Sequence, residues 1–300
     1  MRLPYLPRPL VAAGMGVFYR LVLTPRLSWR AQRTLLDAGA VLQTVPSGVV
    51  VEHIRIGGRP AEKLTARGAG DPDTAVLYLH GGAYTIGSPK THRSLAGHLA
   101  RGTGAMVVTL DYRLAPEHRY PAAVDDAVAA YLELLERRGL APERVAIVGD
   151  SAGGGLAAAS ARRLIDEHGI RPGALVLLSP WVDPADENAP AARDLVVSTG
   201  WSRPAARAYL GDASPTDPGF APAHAATEGM PPTLIQVGTG EILYPQDLAY
   251  AEKLRAGGVE VTLSESTLWH VAQLQASLLR DAAVAVDEIN DFLRVRLRHR

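Results

Sequence analysis

Arg144-Val145-Ala146-Ile147-Val148-Gly149-Asp150-Ser151-Ala152-Gly153-Gly154-Gly155-Leu156-Ala157-Ala158-Ala159 is the stretch from which the fold follows. Arg144 to Val148 is short, apolar and β-branched, which predicts a buried strand ending at Gly149. Leu156 to Glu167 is rich in alanine and predicts a helix. Between them lies Gly149-Asp150-Ser151-Ala152-Gly153, a G-x-S-x-G pentad. A turn this tight leaves no room for a Cβ at either glycine. It forces the serine into a strained backbone conformation and lifts its hydroxyl above the sheet. The helix that follows aims its N-terminal N–H groups at the same point, where they favour a developing negative charge. A glycine-rich turn with a capping serine has the same composition, but the strand–turn–helix context favours Ser151 as a nucleophile.

Outward from this turn, strands and helices alternate. Upstream, Val49 to Ile56 and Ala61 to Ala66 flank Gly57-Gly58 and predict a hairpin. Thr74 to Leu79 and Ala105 to Leu110 read as buried strands, with a short helix over Leu95 to Arg101. Val124, Val128, Tyr131, Leu132 and Leu135 recur at helical spacing and predict a helix over Ala122 to Arg138. Downstream come a strand at Ala174 to Leu178 and another at Thr233 to Val237. A helix at Leu248 to Ala256, a strand at Glu260 to Leu263 and a helix from Leu274 to Arg298 complete the series. The pattern predicts a single α/β domain over 1–300, its mostly parallel twisted sheet covered by helices on both faces. Ligands are then expected beyond the carboxyl ends of the strands. Trp181 to Met230 breaks the rhythm and is too long for a simple loop. It reads as an inserted helical cap of about 181–230, completed by N-terminal helices within about 1–45, including one over Arg26 to Leu42.

A serine hydroxyl needs a base. For a nucleophile on a strand–turn–helix elbow, the acid and then the histidine follow later in the chain. Of nine histidines, His270 lies after the last predicted strand and before the C-terminal helix, where the base is expected. Structural or surface roles are favoured for His53, His92, His98, His118, His168, His224 and His299. Two carboxylates follow the strand Thr233 to Val237. Glu241 is nearer the strand end and is the expected acid; Asp247 reads better as a helix N-terminal residue. Asp183 reads as a loop carboxylate that positions the cap. Upstream, His80-Gly81-Gly82-Ala83-Tyr84 follows a strand. There the backbone N–H groups of Gly82 and Ala83, with that of Ala152, are placed to form an oxyanion hole. His80 reads as a residue that orders this loop. Tyr84, Trp181, Trp201 and Trp269 are candidates to line the substrate pocket, with core packing the equal alternative for each.

His80-Gly81-Gly82-Ala83-Tyr84, Gly149-Asp150-Ser151-Ala152-Gly153-Gly154 and Asp111-Tyr112-Arg113-Leu114-Ala115-Pro116-Glu117 together resemble the hormone-sensitive-lipase-like family of α/β-hydrolase esterases and lipases. The third segment alone reads as a turn with an internal ion pair, and by the resemblance it is a structural loop beneath the active site. The resemblance covers roughly Ala75 to the C-terminus; the N-terminal third is similar to the family's variable cap region. It implies hydrolysis of carboxylic esters with short to medium acyl chains, or of lactones, since monoterpene lactone hydrolases look like close relatives. It implies no metal and no organic cofactor. Two positions depart from the pattern. Ala83 stands where the family has a third glycine, and Glu241 stands where it has aspartate. Two other readings remain beside the esterase: an amidase or peptidase of the same fold, and a non-enzymatic binder built on the scaffold.

Composition narrows the partners. The formal net charge is zero, which leaves no basic field to attract nucleic acid, and cysteine is absent, which excludes disulfides and thiolate chemistry. The abundance of arginine and alanine suggests a bacterial source. Leu10 to Leu23 is mostly apolar, but Arg20 interrupts it and it is too short to span a bilayer. It is expected to be a cap helix packed on the domain, with a peripheral membrane anchor as the alternative. The expected setting is cytoplasmic, with association with the cell envelope left open. The expected partners are a small-molecule ester and, optionally, a second copy of the chain in a homodimer.

Overall fold

Five short strands are buried at every position: β3 (Ala75–Leu79), β4 (Met106–Leu110), β5 (Val145–Asp150), β6 (Ala174–Leu178) and β7 (Thr233–Gly238). Such continuous apolar runs are stable only between two helical layers. The computed structural model, which describes residues 5–68, 72–186 and 194–297, shows that arrangement. Eight strands run in the order β1-β2-β4-β3-β5-β6-β7-β8. β1 (Val49–Ile56) and β2 (Arg59–Ala66) form the expected antiparallel hairpin at one edge, and β2 also pairs antiparallel with β4. All other pairings are parallel, out to β8 (Val261–Ser266) at the far edge.

The pleat sorts the core. On one face Leu77, Val108, Ile147, Leu175 and Ile235 pack against α4 (Ala122–Arg138), α5 (Ala152–His168) and α7 (Tyr244–Ala256). On the other, Val76, Val107, Val148, Val176 and Leu234 meet α3 (Pro89–Thr103) and α8 (Arg280–Leu297).

Several element bounds differ from those read from sequence. α3 begins six residues before the expected Leu95, because Ser88 and Thr91 form a capping box around Pro89, the first helical residue. α5 begins at Ala152 rather than Leu156; its glycines are helical. The expected helix from Leu274 is a 3-10 turn over Ala272–Gln275 followed by α8. The expected helix over Arg26 to Leu42 is α2 (Trp29–Gly39) with a 3-10 turn over Ala40–Leu42. In 181–230, the described residues hold α6 (Thr199–Leu210) and a 3-10 turn at Pro222–His224, with no strand among them. Residues 1–4 and 187–193 of the expected cap lie outside the described set.

The turn over 111–117 holds no internal ion pair. Arg113 reaches Asp126 of α4 at 2.7 Å, and Glu117 reaches Arg33 of α2 at 2.8 Å. Both charges therefore lock the segment to helices instead of to each other. α1 (Arg8–Val22) packs on the domain through Val11, which clusters with Leu268, Trp269 and Leu279. No helix among the described residues is long and apolar enough to cross a membrane.

The glycines of α5 explain why it can start at once. A Cβ on Gly153 would be driven into the carbonyl oxygens of Leu79 and His80, and one on Gly149 into the carbonyl of Gly153. Helix and strand ends meet backbone to backbone, with no space for a side chain. Gly153→Ala is therefore expected to cost roughly 1–3 kcal/mol of stability through overpacking. The check is a melting transition several degrees below wild type. Ala157→Gly, one turn further along the same helix, should show only the smaller propensity cost of about 1 kcal/mol beyond its lost methyl.

Candidate active site

Strand pairing brings the pieces together. β3 and β5 are neighbours in parallel register, with Leu79 opposite Gly149. The loop after β3 and the turn after β5 consequently emerge side by side. Ser151 caps α5 with φ 53° and ψ −123°, which is strained for a residue with a side chain. Its Oγ lies 2.9 Å from Nε2 of His270, and Nδ1 of His270 lies 2.6 Å from Oε2 of Glu241. The carboxylate assigns the proton to Nδ1, so Nε2 is left to accept from the serine hydroxyl.

Glu241 is almost wholly buried. Its other oxygen, Oε1, accepts from the Ser179 hydroxyl at 2.8 Å and from the Gly238 N–H at 2.5 Å. Both bonds satisfy an oxygen that burial removes from water. Burial alone would lower the His270 pKa, but the charge of Glu241 and its hydrogen bond outweigh burial, and the imidazole is held above its ordinary value. Asp247 contrasts with Glu241. It sits in the first turn of α7, as expected, but it is fully buried and neither carboxylate oxygen has a partner. Burial, with Glu241 nearby, pushes its pKa far up and favours its uncharged form. Asp183 bonds the Ala185 N–H and His224 in the loop after β6.

The loop after β3 is contorted. Gly82, Ala83 and Tyr84 all have positive φ. Among the described residues no protein acceptor takes the N–H of Gly82 or Ala83, and Ala152, first in α5, has no acceptor within its helix. Gly82, Ala83, Ser151 and His270 all line a cavity of about 380 Å³. His80 orders the loop as expected: its ring stacks on Tyr112 at 4.3 Å and its Nδ1 lies 2.8 Å from the Gly81 carbonyl. Burial, with His92 close by, lowers its pKa to about 3, so it stays neutral.

Of the four aromatic candidates, only Trp201 lines the large cavity. Trp181 lines a separate recess of about 30 Å³ beside Ser151, shared with Trp201 and Ala83. Tyr84 lies outside both; it is buried and stacked 3.8 Å from Tyr209. Trp269 is also packed in the core, its indole bonding Gln275. For these two, core packing prevails.

Sequence reasoning missed the residues that hold the site. Asp150, the second residue of the pentad, accepts from the Tyr78 hydroxyl at 2.7 Å, from the Gly81 N–H at 3.1 Å, and faces His92 at 3.2 Å. Burial works against its charge, but His92 and Tyr78 overcome it and hold the pKa down. Asp150 thus clamps the loop after β3 to the turn after β5. Arg33 of α2 donates to the carbonyls of Thr85 and Ala115, each at 2.7 Å. Gln32, fully buried, accepts from the indole of Trp201 at 2.8 Å and joins α2 to α6. Asp194 accepts from the N–H groups of Val196, Val197 and Ile242, tying the 194–197 segment to the loop that carries Glu241. Asp194, Glu241 and His270 lie within one ligand sphere of each other, but these bonds already engage their atoms. Asp150 was legible as part of the motif; Gln32, Arg33 and Asp194 carry no local signal.

Known proteins share this fold. A family model described as alpha/beta hydrolase fold matches residues 76–273. An acetyl-hydrolase from Streptomyces hygroscopicus is 41% identical over 270 residues, covering 88% of this chain and 87% of that protein. An esterase from Acinetobacter venetianus is 32% identical over 294 residues, covering 96% and 95%. The crystal structure of an esterase from the bacterial hormone-sensitive lipase family superposes with a TM-score of 0.91 at 36% identity, covering 98% of this chain and all of that one.

The His270 ionisation is directly observable. Its imidazole resonances should titrate with a midpoint above the ordinary 6.5. In Glu241→Gln the largest of the charges that raise the pKa is gone while the burial that lowers it remains, so the midpoint should fall from its wild-type position. An unmoved midpoint would mean that Glu241 does not govern the imidazole.

Proposed function

The chain belongs to the hormone-sensitive-lipase family of α/β hydrolases, carboxylic-ester hydrolases, and from that premise we propose a Ser151-His270-Glu241 triad that works through an acyl-enzyme. The observation that carries this reading is the continuous hydrogen-bond line from Ser151 Oγ through His270 to Glu241. His270 takes the serine proton as Oγ attacks the ester carbonyl. The N–H groups of Gly82, Ala83 and Ala152 receive the oxyanion. The imidazolium, stabilised by Glu241, protonates the departing alcohol; neutral His270 then draws a proton from water, which releases the acid and restores Ser151.

α1, α2 and the described parts of 181–230 are proposed as a cap over the strand ends. The support is the contact between them: Gln32 bonded to Trp201, Trp29 edge-on to Trp201 at 6.4 Å, and Leu195 against Gly16. The two spaces beside Ser151 suggest a substrate with unequal arms. The large cavity, lined by Met15, Phe18, Leu36 and Val196 among others, suits an apolar chain of medium length. The recess beside Trp181 admits only a small group. Substrates are therefore proposed to be short- to medium-chain esters or lactones, with a small group on one side of the carbonyl.

The test is hydrolysis of p-nitrophenyl esters across acyl lengths. Ser151→Ala should lose roughly three or more orders of magnitude in kcat, and Glu241→Gln about 10⁴-fold. Asp247→Asn should stay within a few-fold of wild type, since neither oxygen of Asp247 has a partner to lose. If Asp247→Asn is the inactive variant, the acid is misassigned. If amides are turned over better than esters, the amidase reading replaces this one. Failure of a fluorophosphonate to label Ser151 would favour the non-enzymatic binder.

A further inference from the structure

We infer that the outer face of α1 docks on an anionic lipid surface and sets the mouth of the active-site cavity against it. Leu10, Ala13, Gly14, Val17 and Leu21 recur at helical spacing and all face solvent. Leu10 is 61% exposed, Val17 61% and Leu21 68%. These are large apolar side chains on a helix whose opposite side already packs on the domain, so folding does not account for them. Isolated exposed leucines need no explanation, but a whole helical face does.

The face is continuous with the cavity. Gly14 belongs to both, and Met15, Phe18 and Tyr19 from the same helix line the interior. Leu278 also lines the cavity and is 40% exposed. The Leu6 N–H bonds the Leu278 carbonyl at 2.9 Å, which places the exposed Leu6 at the same rim. An apolar molecule leaving a lipid layer at this face would enter beside Ser151 without crossing water.

Charge identifies the occupant. The first 36 residues contain six arginines and no acidic residue, although the whole chain is neutral. Arg33 is engaged with Glu117, and Arg8 bonds Thr267. Arg20 and Arg26 are exposed within and just after α1. Arg280 lies beside Leu278, next to Asp281, the acidic residue of the first turn of α8. An apolar stripe flanked by arginines is the pattern of a helix lying in an anionic interface, where the apolar face enters the headgroup boundary and the cations meet phosphate. A second copy of this chain would present arginine to arginine.

Docking can be read apart from catalysis, by co-flotation of the full chain with vesicles. Binding is expected to phosphatidylcholine mixed equally with phosphatidylglycerol, weakly to phosphatidylcholine alone, and to fall with salt. Combined Leu10→Gln, Val17→Gln and Leu21→Gln should weaken it roughly tenfold or more, and Arg20→Gln alone about fivefold. Hydrolysis of soluble p-nitrophenyl acetate should be unchanged in both variants, since none of these side chains enters the cavity. Absence of wild-type binding to the mixed vesicles would overturn the inference, as would binding indifferent to both variants. A dimer that the triple variant dissolves, without vesicle binding by wild type, would assign the face to a second copy and equally overturn it.

Discussion

Everything at the site depends on how closely the end of β5 approaches the end of β3. The two strands are hydrogen-bonded neighbours. The chain leaving β5 must turn into α5 within one residue while passing under the carbonyls of Leu79 and His80. Only glycine at 149 and 153 permits that approach. Ser151 between them has no relaxed conformation available, and the turn presents its hydroxyl outward. The same proximity lets Asp150 reach across to the Gly81 N–H and Tyr78. One residue thus holds both the turn that carries Ser151 and the neighbouring loop. A buried carboxylate with three partners is costly to disturb, and that cost gives the geometry its rigidity.

Backbone strain maps the same region. The described non-glycine residues with positive φ are Ala83, Tyr84, Ser151, Ser179 and Val271. Two lie in the loop after β3 and one is Ser151, the proposed nucleophile. One bonds Glu241, and one follows His270. Such conformations cost of order 1–3 kcal/mol each and persist only where the surroundings over-determine them. Here the surroundings do. Ser151 N–H bonds Leu178, Ser179 N–H bonds Gln236, and the Tyr84 carbonyl accepts from Ala115. The segment over 111–117 therefore acts through the loop: it carries no reacting group, yet it supports the carbonyl beside Ala83 and is itself held by Arg33 and Asp126.

The central sheet was legible because its signal is strong and local. Buried parallel strands are unbroken apolar runs, and β6 falls on Ala174–Leu178 as read. Element ends were less legible where glycine or proline is helical. Gly153 to Gly155 read as a turn because glycine disfavours helix, yet packing against β3 and Pro180 requires them there. The positions of Ser151, Glu241 and His270 could be anticipated because each follows a strand in a fixed order. Gln32, Arg33 and Asp194 could not, because what they do is join segments far apart in the chain, and no periodicity records that. The aromatic residues show the same limit. Tyr84 and Trp201 look alike in sequence, and only the stacking of Tyr84 on Tyr209 separates core from cavity wall.

The two carboxylates after β7 show how one loop distributes charge. Glu241 and Asp247 are both buried, and after burial itself the nearness of Glu241 adds to the cost of charging Asp247. The donors decide between them. Glu241 has the Ser179 hydroxyl, the Gly238 N–H and the imidazole of His270. Asp247 has no partner for either oxygen. The donors therefore converge on Glu241, while burial without a partner raises the pKa of Asp247 and favours its uncharged form. Ser179 is central to this balance. It takes a strained backbone conformation at the end of β6, and its hydroxyl meets the oxygen of Glu241 that does not face the histidine. With that oxygen occupied, the remaining one is directed at Nδ1 of His270. The extra methylene of glutamate is thus accommodated by fixing the carboxylate at its far side, and the reach to the imidazole stays at hydrogen-bond length.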